Sequence, residues 1–223
     1  MDSNVINLRV FYEKLSRAKY ISHLDITRCM QRAIKRAGIP VWYTEGFNPH
    51  IYITFALPLS LGYESYCEIM DMRLTQQMDF NVIKDKLNEC LPCDIRVRDV
   101  ALQIEKPEAI VNANYRVSLF SDKIAPQTVL DSFNKFFSND KIEVMKKSKK
   151  GSKLVDIKPD CKVISLNLIE NGIEINLDCT AGISKNVNPS LLIAEFKTRY
   201  NYSDLFMSVV KNAVYDSEGN LFC

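Results

Sequence analysis

Apolar and polar positions along the first half of the chain follow two different periods. Residues 8–12 are a short β-rich run, and residues 51–57 alternate large apolar and other side chains, as a half-buried strand does. Residues 22–37 instead repeat apolar side chains at helical spacing, and Gly38 and Pro40 then stop the helix. A strand, a helix and a strand are predicted at residues 67–74, 80–91 and 95–104. The resulting order, β-α-β-β-α-β, is the ferredoxin-like arrangement.

The second half of the chain predicts a similar but less regular order of strands and helices. Strands are predicted at residues 115–120, 142–145, 154–157 and 206–215, and helices at residues 126–137 and 189–200. Residues 163–169 and 173–177 predict a hairpin across Asn171-Gly172, a strong two-residue turn signal. We therefore expect an α+β protein of two ferredoxin-like βαββαβ-type subdomains with antiparallel sheets, at residues 1–108 and 109–223.

Composition narrows the class of protein. No apolar run approaches the ~20 residues of a membrane span, so no membrane partner is expected. The first residues lack the basic and apolar regions of a secretory signal, which predicts a cytoplasmic protein with reduced cysteines. The 29 basic and 27 acidic residues leave a net charge of only +2, so any nucleic-acid binding must come from local clusters.

The first helix carries a cap and a basic stripe. Ser22 can accept from a first-turn N–H while Asp25 reaches back to the Ser22 N–H, a variant of the capping box. On the face opposite the apolar one lie four cations, Arg28, Arg32, Lys35 and Arg36. Such a stripe suits either solvent or a polyanion such as a phosphate backbone, and the sequence leaves both readings open.

A second motif follows this helix and ends on a histidine. Its candidate binding residues are Tyr43, Glu45, Phe47, Asn48 and His50. His50 and His23, which lies beside Ser22, are the two histidines of the chain. Imidazoles serve as general acids or bases, although a structural role is commoner. We expect Ser22, His23 and Asp25 to form one pocket with the second motif.

A run of lysines in the second half is a further candidate polyanion site. The run comprises Lys146, Lys147, Lys149, Lys150 and Lys153. With Gly151 it predicts a mobile loop between two strands, either a solvated hairpin tip or an arm that gathers phosphates.

Cysteine spacing argues against a bound metal or cofactor. Cys90 and Cys93 have the spacing of half a zinc site, but no second pair with metal spacing exists. His23 and His50 would have to complete such a site in space, and we predict no metal site. An iron–sulfur cluster needs clustered thiolates, which are missing here, and no Gly-rich nucleotide fingerprint occurs. We expect no cofactor.

Several motifs together resemble an uncharacterised bacterial family, the radical-SAM-linked proteins. The resemblance is carried by residues 20–25 (YISHLD), Arg28, residues 32–40 (RAIKRAGIP), Tyr43, residues 46–50 (GFNPH), residues 55–62 (FALPLSLG) and Glu64-Ser65. It is dense over residues 8–105 and thinner beyond, at residues 153–159 and 188–192. The chain departs where family members place Pro and a basic residue after the second histidine, since Ile51 and Tyr52 stand there. The resemblance implies a radical-SAM protein as partner, acting on RNA or another macromolecule.

Three hypotheses for function follow from these residues. The leading one is a non-catalytic accessory protein that recognises RNA, or another polyanion, for a radical-SAM modification system. The second is a metal-independent RNA-processing enzyme in which His23 and His50 move protons. The third is a protein-docking module whose basic stripe meets an acidic surface of the radical enzyme.

Overall fold

The chain divides into two compact units after Ala109. The computed structural model describes residues 5–148, 151–182 and 185–222. In that part of the chain, none of the helices has the length and apolar character needed to cross a membrane. The protein is a mixed α and β fold with antiparallel sheets and four α-helices among the described residues.

In its described residues, unit 1 contains four strands and two α-helices. They are β1 (Ile6–Lys14), α1 (His23–Arg36), β2 (Ile53–Phe55), β3 (Glu64–Leu74), α2 (Phe80–Cys90) and β4 (Ile95–Leu102). The strands lie in the order β4–β1–β3–β2, and each neighbouring pair is antiparallel. Each helix therefore connects two strands that are separated by one other strand.

The core of unit 1 follows from the two hydrophobic periods. Leu8, Val10 and Tyr12 alternate along β1 and are almost fully buried. They share a core with the apolar face of α1, including Met30 and Ile34, which have no exposed surface. Burial of such a side chain contributes ~1.5–3 kcal/mol, so this face fixes which side of α1 remains in solvent.

Unit 2 repeats the strand order with an insertion. Its elements are β5 (Asn112–Phe120), α3 (Pro126–Phe137), β6 (Glu143–Ser148), β7 (Gly151–Asp156), β8 (Cys161–Ile169), β9 (Gly172–Thr180), α4 (Pro189–Tyr200) and β10 (Phe206–Tyr215). The main sheet has the order β10–β5–β9–β8 and is antiparallel. The strands β6 and β7 form a separate two-stranded ribbon.

Aromatic rings pack the helices of unit 2 together. The ring of Phe196 on α4 lies 5.2 Å from that of Phe133 and 5.4 Å from that of Phe136, both on α3. All three side chains are fully buried. The predicted bounds of α3, α4 and β10 are confirmed, and the remaining predicted elements are also found, with shifted ends.

Within the described residues, the lysines of the run lie in strands rather than in the loop that its composition predicted. Lys146 and Lys147 lie in β6 and Lys153 lies in β7, with Lys146 directly opposite Lys153. Lys149 and Lys150 fall outside the described residues. The correction has a simple cause, because backbone pairing continues from Val144 and Val155 into the charged segment.

The hairpin between β8 and β9 is confirmed, but its turn is shifted by one residue. The turn consists of Glu170 and Asn171, and Gly172 pairs with Phe120 as the first residue of β9. A Cβ atom at Gly172 would lie 1.9 Å from the Leu119 carbonyl oxygen. The glycine is therefore required by close strand approach rather than by a left-handed turn.

Candidate functional site

The N-terminus of α1 is capped by Ser22. Its Oγ accepts a hydrogen bond from the Asp25 backbone N–H at 3.2 Å and donates one to Asp25 Oδ2 at 2.6 Å. The second bond differs from the predicted capping box, in which the carboxylate binds the Ser22 N–H. Hydrogen bonding from Ser22, with a smaller contribution from the charge of Arg28, lowers the pKa of Asp25 below its usual value.

The four cations of the α1 stripe are all exposed, but they differ in their contacts. Arg28 Nη1 lies 3.4 Å from Asp25 Oδ1, and Arg36 Nη2 donates to the Cys90 carbonyl oxygen at 2.5 Å. Within the described residues, Arg32 and Lys35 have neither an ion-pair nor a hydrogen-bond partner. These two side chains are therefore the ones most available to an anion.

The second motif forms a narrow loop against α1. Thr44 N donates to the His50 carbonyl oxygen at 2.8 Å, and Tyr43 forms a β-bridge with Ile51. Gly46 has a φ of +116°, a conformation that favours glycine, so the chain can reverse there. Gln31 Nε2 donates to the Ile51 carbonyl oxygen at 3.2 Å and ties the loop to the helix.

The stripe and the second motif line one cleft. The cleft has a volume of about 240 Å³. It is lined by Arg28, Gln31, Arg32, Lys35, Tyr43, His50 and Ile51. No carboxylate is among these residues, so the cleft has a positive potential along the α1 side and an aromatic and imidazole wall on the other.

A second cleft lies on the other side of the same stripe. Its volume is about 570 Å³. It is lined by Asp25, Arg28, Cys29, Arg32, Arg36, Cys90, Leu91 and Pro92. Arg28 and Arg32 border both clefts, and they are therefore the central residues of the basic surface.

The two histidines have different surroundings. The ring of His23 packs edge-to-face on Phe55, with centroids 5.1 Å apart, whereas His50 lines the smaller cleft. Glu45, Phe47 and Asn48 are exposed on the loop, outside the lining of either cleft. The geometry thus brings His50 and Tyr43 to the basic stripe, while the single pocket that also includes Ser22 and His23 stays a prediction.

The lysines of unit 2 form a separate basic feature. Lys146 Nζ donates to the Asn186 carbonyl oxygen at 3.2 Å, and Lys153 is exposed. Because like charges directly opposite each other destabilise a strand pair, Lys146 and Lys153 weaken the ribbon in the absence of an anion.

Sequence reasoning missed a buried ionisable cluster next to the start of α1. Tyr12, Lys14 and Glu68 are all buried, and Lys14 Nζ donates to the Ile21 carbonyl oxygen at 3.0 Å. Burial lowers the pKa of Lys14, and the charge of Glu68 acts in the opposite direction. The sequence did contain an indication that Lys14 is buried, because it lies two residues after Tyr12 and so continues the series of buried positions 8, 10 and 12 along β1.

Metal ligands do not gather in the part of the chain that the structure describes. No group of three His, Cys, Asp or Glu side chains is found there. The Sγ atom of Cys93 is exposed and lies 3.6 Å from Asp94 Oδ1, and Cys90 is half-buried.

These features define a two-unit α+β protein with antiparallel sheets and a basic cleft on the first helix of unit 1. The chain belongs to the DUF2344 family, described as an uncharacterized protein conserved in bacteria, whose model matches residues 7–189. No curated protein shows a significant match.

The solved structures that this chain matches include a chain in the crystal structure of a Cbf5-Nop10-Gar1 complex. That chain is 11% identical, with a TM-score of 0.49 over 94% of this chain and 48% of the other, so this chain spans about half of its length. A second is the crystal structure of an unknown protein from Galdieria sulphuraria. It is 8% identical, with a TM-score of 0.28 over 93% of this chain and 98% of the other.

Proposed function

We propose that this protein binds RNA through the basic face of α1 and serves as a non-catalytic accessory protein of a radical-SAM system. The observation that carries the proposal is the cleft in which Arg28, Arg32 and Lys35 meet Tyr43 and His50 with no acidic side chain in the lining. Such a cleft can hold phosphate on its cationic side and a ribose or base on the other.

The electrostatics of the stripe favour an anionic ligand. Arg32 and Lys35 have no ion pair among the described residues, so binding to phosphate would not require breaking one. Each phosphate contact releases counterions from the nucleic acid, and this gain does not depend on the net charge of the whole protein. A net charge of +2 is therefore compatible with RNA binding at one face.

The aromatic side chain in the cleft favours RNA with unpaired bases. Tyr43 is 44% exposed and lines the same cleft as the cations. Base stacking on an exposed aromatic ring is the usual way in which proteins hold single-stranded nucleic acid.

The radical-SAM association rests on the motifs of residues 20–25 and 46–50, which resemble proteins linked to such enzymes. In this scheme the radical enzyme performs the chemistry and this chain presents the substrate. We further propose that both units are ferredoxin-like subdomains, and the strand orders β4–β1–β3–β2 and β10–β5–β9–β8 support this.

The geometry favours binding over catalysis by a histidine pair. His23 packs on Phe55 and is not part of the lining that contains His50. A protein-docking role uses the same basic face and predicts that this chain co-purifies with the radical enzyme after nuclease treatment.

The test is a double charge reversal, Arg28→Glu with Arg32→Glu, measured by RNA-binding titrations at several salt concentrations. The matched control is Lys106→Glu with Lys135→Glu, which changes the net charge equally at exposed positions outside both clefts. The proposal predicts that the α1 variant loses salt-dependent RNA binding while the control retains it. RNA binding that is equal in the two variants would refute it.

A further inference from the structure

The ring of His50 is held on one edge only. Its Nδ1 lies 3.0 Å from Thr44 Oγ1 and 3.2 Å from the Asn48 carbonyl oxygen. Thr44 Oγ1 also accepts from the His50 backbone N–H at 3.1 Å. Within the described residues, no protein atom forms a hydrogen bond with Nε2.

These contacts favour one tautomer of the neutral imidazole. The Thr44 hydroxyl can donate or accept, but a carbonyl oxygen can only accept, so the 3.2 Å contact with the Asn48 carbonyl favours a proton on Nδ1. In this tautomer Nε2 is unprotonated and is a hydrogen-bond acceptor at the cleft.

This acceptor faces three cationic donors. The guanidinium groups of Arg28 and Arg32 and the ammonium group of Lys35 line the cleft and cannot accept, whereas the Gln31 amide and the Tyr43 hydroxyl, which also line it, can both donate and accept. A ligand that presents acceptors to the cations and a donor to His50 therefore fits the cleft. A ribose with its phosphate does so, since the phosphate accepts and the 2′-hydroxyl donates.

The size of the cleft agrees with such a unit. About 240 Å³ is below the ~300 Å³ at which pockets enclose a whole small ligand. It is suited to one part of a polymer, with the rest of the strand outside.

We infer that His50 Nε2 accepts a hydrogen bond from a ribose 2′-hydroxyl, so that the cleft selects RNA over DNA. The inference rests on the proposed function and deepens it, because phosphate contacts alone do not distinguish the two polymers. One net hydrogen bond corresponds to a preference of about 2- to 12-fold.

The test compares two single strands of the same sequence, uridine-containing RNA and deoxyuridine-containing DNA, which differ only in the 2′-hydroxyl. His50→Asn keeps an amide nitrogen near the position of Nδ1 and removes Nε2, whereas His50→Gln restores a polar atom near the position of Nε2. Arg32→Ala serves as the phosphate control. Lys106→Ala serves as the control outside the site, because Lys106 is exposed and lines neither cleft.

The wild type should prefer RNA by about 2- to 12-fold, His50→Asn should bind both strands equally, and His50→Gln should recover part of the preference. Arg32→Ala should weaken binding of both strands and keep the ratio of their affinities, and Lys106→Ala should change neither the affinities nor the ratio. Equal binding of RNA and DNA by the wild type, with Arg32→Ala still weakening both, would overturn the inference and leave the proposed function intact. Binding of neither strand would overturn both.

Discussion

Arg32→Ala is the substitution that most directly probes the basic cleft. Arg32 borders both clefts and has no ion-pair or hydrogen-bond partner among the described residues. Its truncation should therefore leave the free energy of unfolding almost unchanged, as is usual for surface positions. Any loss of RNA binding then reports the contact with the ligand rather than damage to the fold.

The expected magnitude follows from the number of cations in the smaller cleft. If Arg28, Arg32 and Lys35 each neutralise one phosphate of a single strand, the slope of log K against log salt is about −2.1. Affinity should then fall by about 18-fold between about 50 and about 200 mM salt. With Arg32 replaced by alanine, the slope becomes about −1.4 and the fall about 7-fold.

The assay is fluorescence anisotropy of a labelled single-stranded RNA across that salt range. Arg96→Ala is the matched control, since Arg96 is exposed, lies on β4 and lines neither basic cleft. The control should keep the wild-type slope. Identical slopes for the wild type and Arg32→Ala, or an equal change in Arg96→Ala, would refute the placement of phosphate at this cleft.

Two further predictions concern the fold. Gly172→Ala should lower the free energy of unfolding by ~1–3 kcal/mol in urea titrations, because its Cβ would overlap the Leu119 carbonyl oxygen. The neighbouring Asn171→Ala, at an exposed turn position, should cost far less, and equal costs would contradict the reasoning. Burial, with the charge of Glu68 as the next cause, raises the pKa of Tyr12, so the folded protein keeps a proton that the unfolded chain releases above pH ~10. The free energy of unfolding should therefore fall as pH rises through that range. Between pH ~9 and ~11 the Tyr12→Phe variant should lose less of its free energy of unfolding than the wild type, and equal losses would refute this explanation.

Elements with a strong period and clear end signals were predictable from the sequence. The apolar face of α1 and its Ser22 cap gave a helix that the structure has at His23–Arg36. The helices that begin at Pro126 and Pro189 were predicted with their observed bounds, because proline at the first helical position marks a start. In these segments local preference and tertiary packing agree.

Features that depend on contacts with residues far away in the sequence could not be predicted from local sequence patterns. The role of Gly172 depends on Leu119, a residue of another strand that the local turn signal does not include. The pairing of Lys146 with Lys153 likewise depends on register that begins at Val144 and Val155. Charge alone indicates solvent exposure, but it does not tell whether the backbone is paired.

Some features of the candidate site could be predicted from local sequence patterns, and others required the three-dimensional structure. The basic stripe could be read from helical spacing, whereas the tautomer of His50 requires the Asn48 carbonyl and Thr44 hydroxyl to be located in space. Sequence placed both histidines in neighbouring motifs, and only the structure distinguishes the ring at the cleft from the ring on Phe55.

The buried cluster in unit 1 explains how the stripe is held. Burial of Lys14 costs free energy, since it disfavours the charged form of the side chain. Its ammonium group nevertheless donates to the Ile21 carbonyl, one residue before the Ser22 cap, and so joins the end of β1 to the start of α1. Because Gln31 binds the Ile51 carbonyl farther along the helix, α1 is fixed to the sheet at its start and to the His50 loop at its middle. Arg28, which lies between these two attachments, and Arg32, which directly follows the second, therefore project from a rigid element, which limits the entropy lost when they bind an anion.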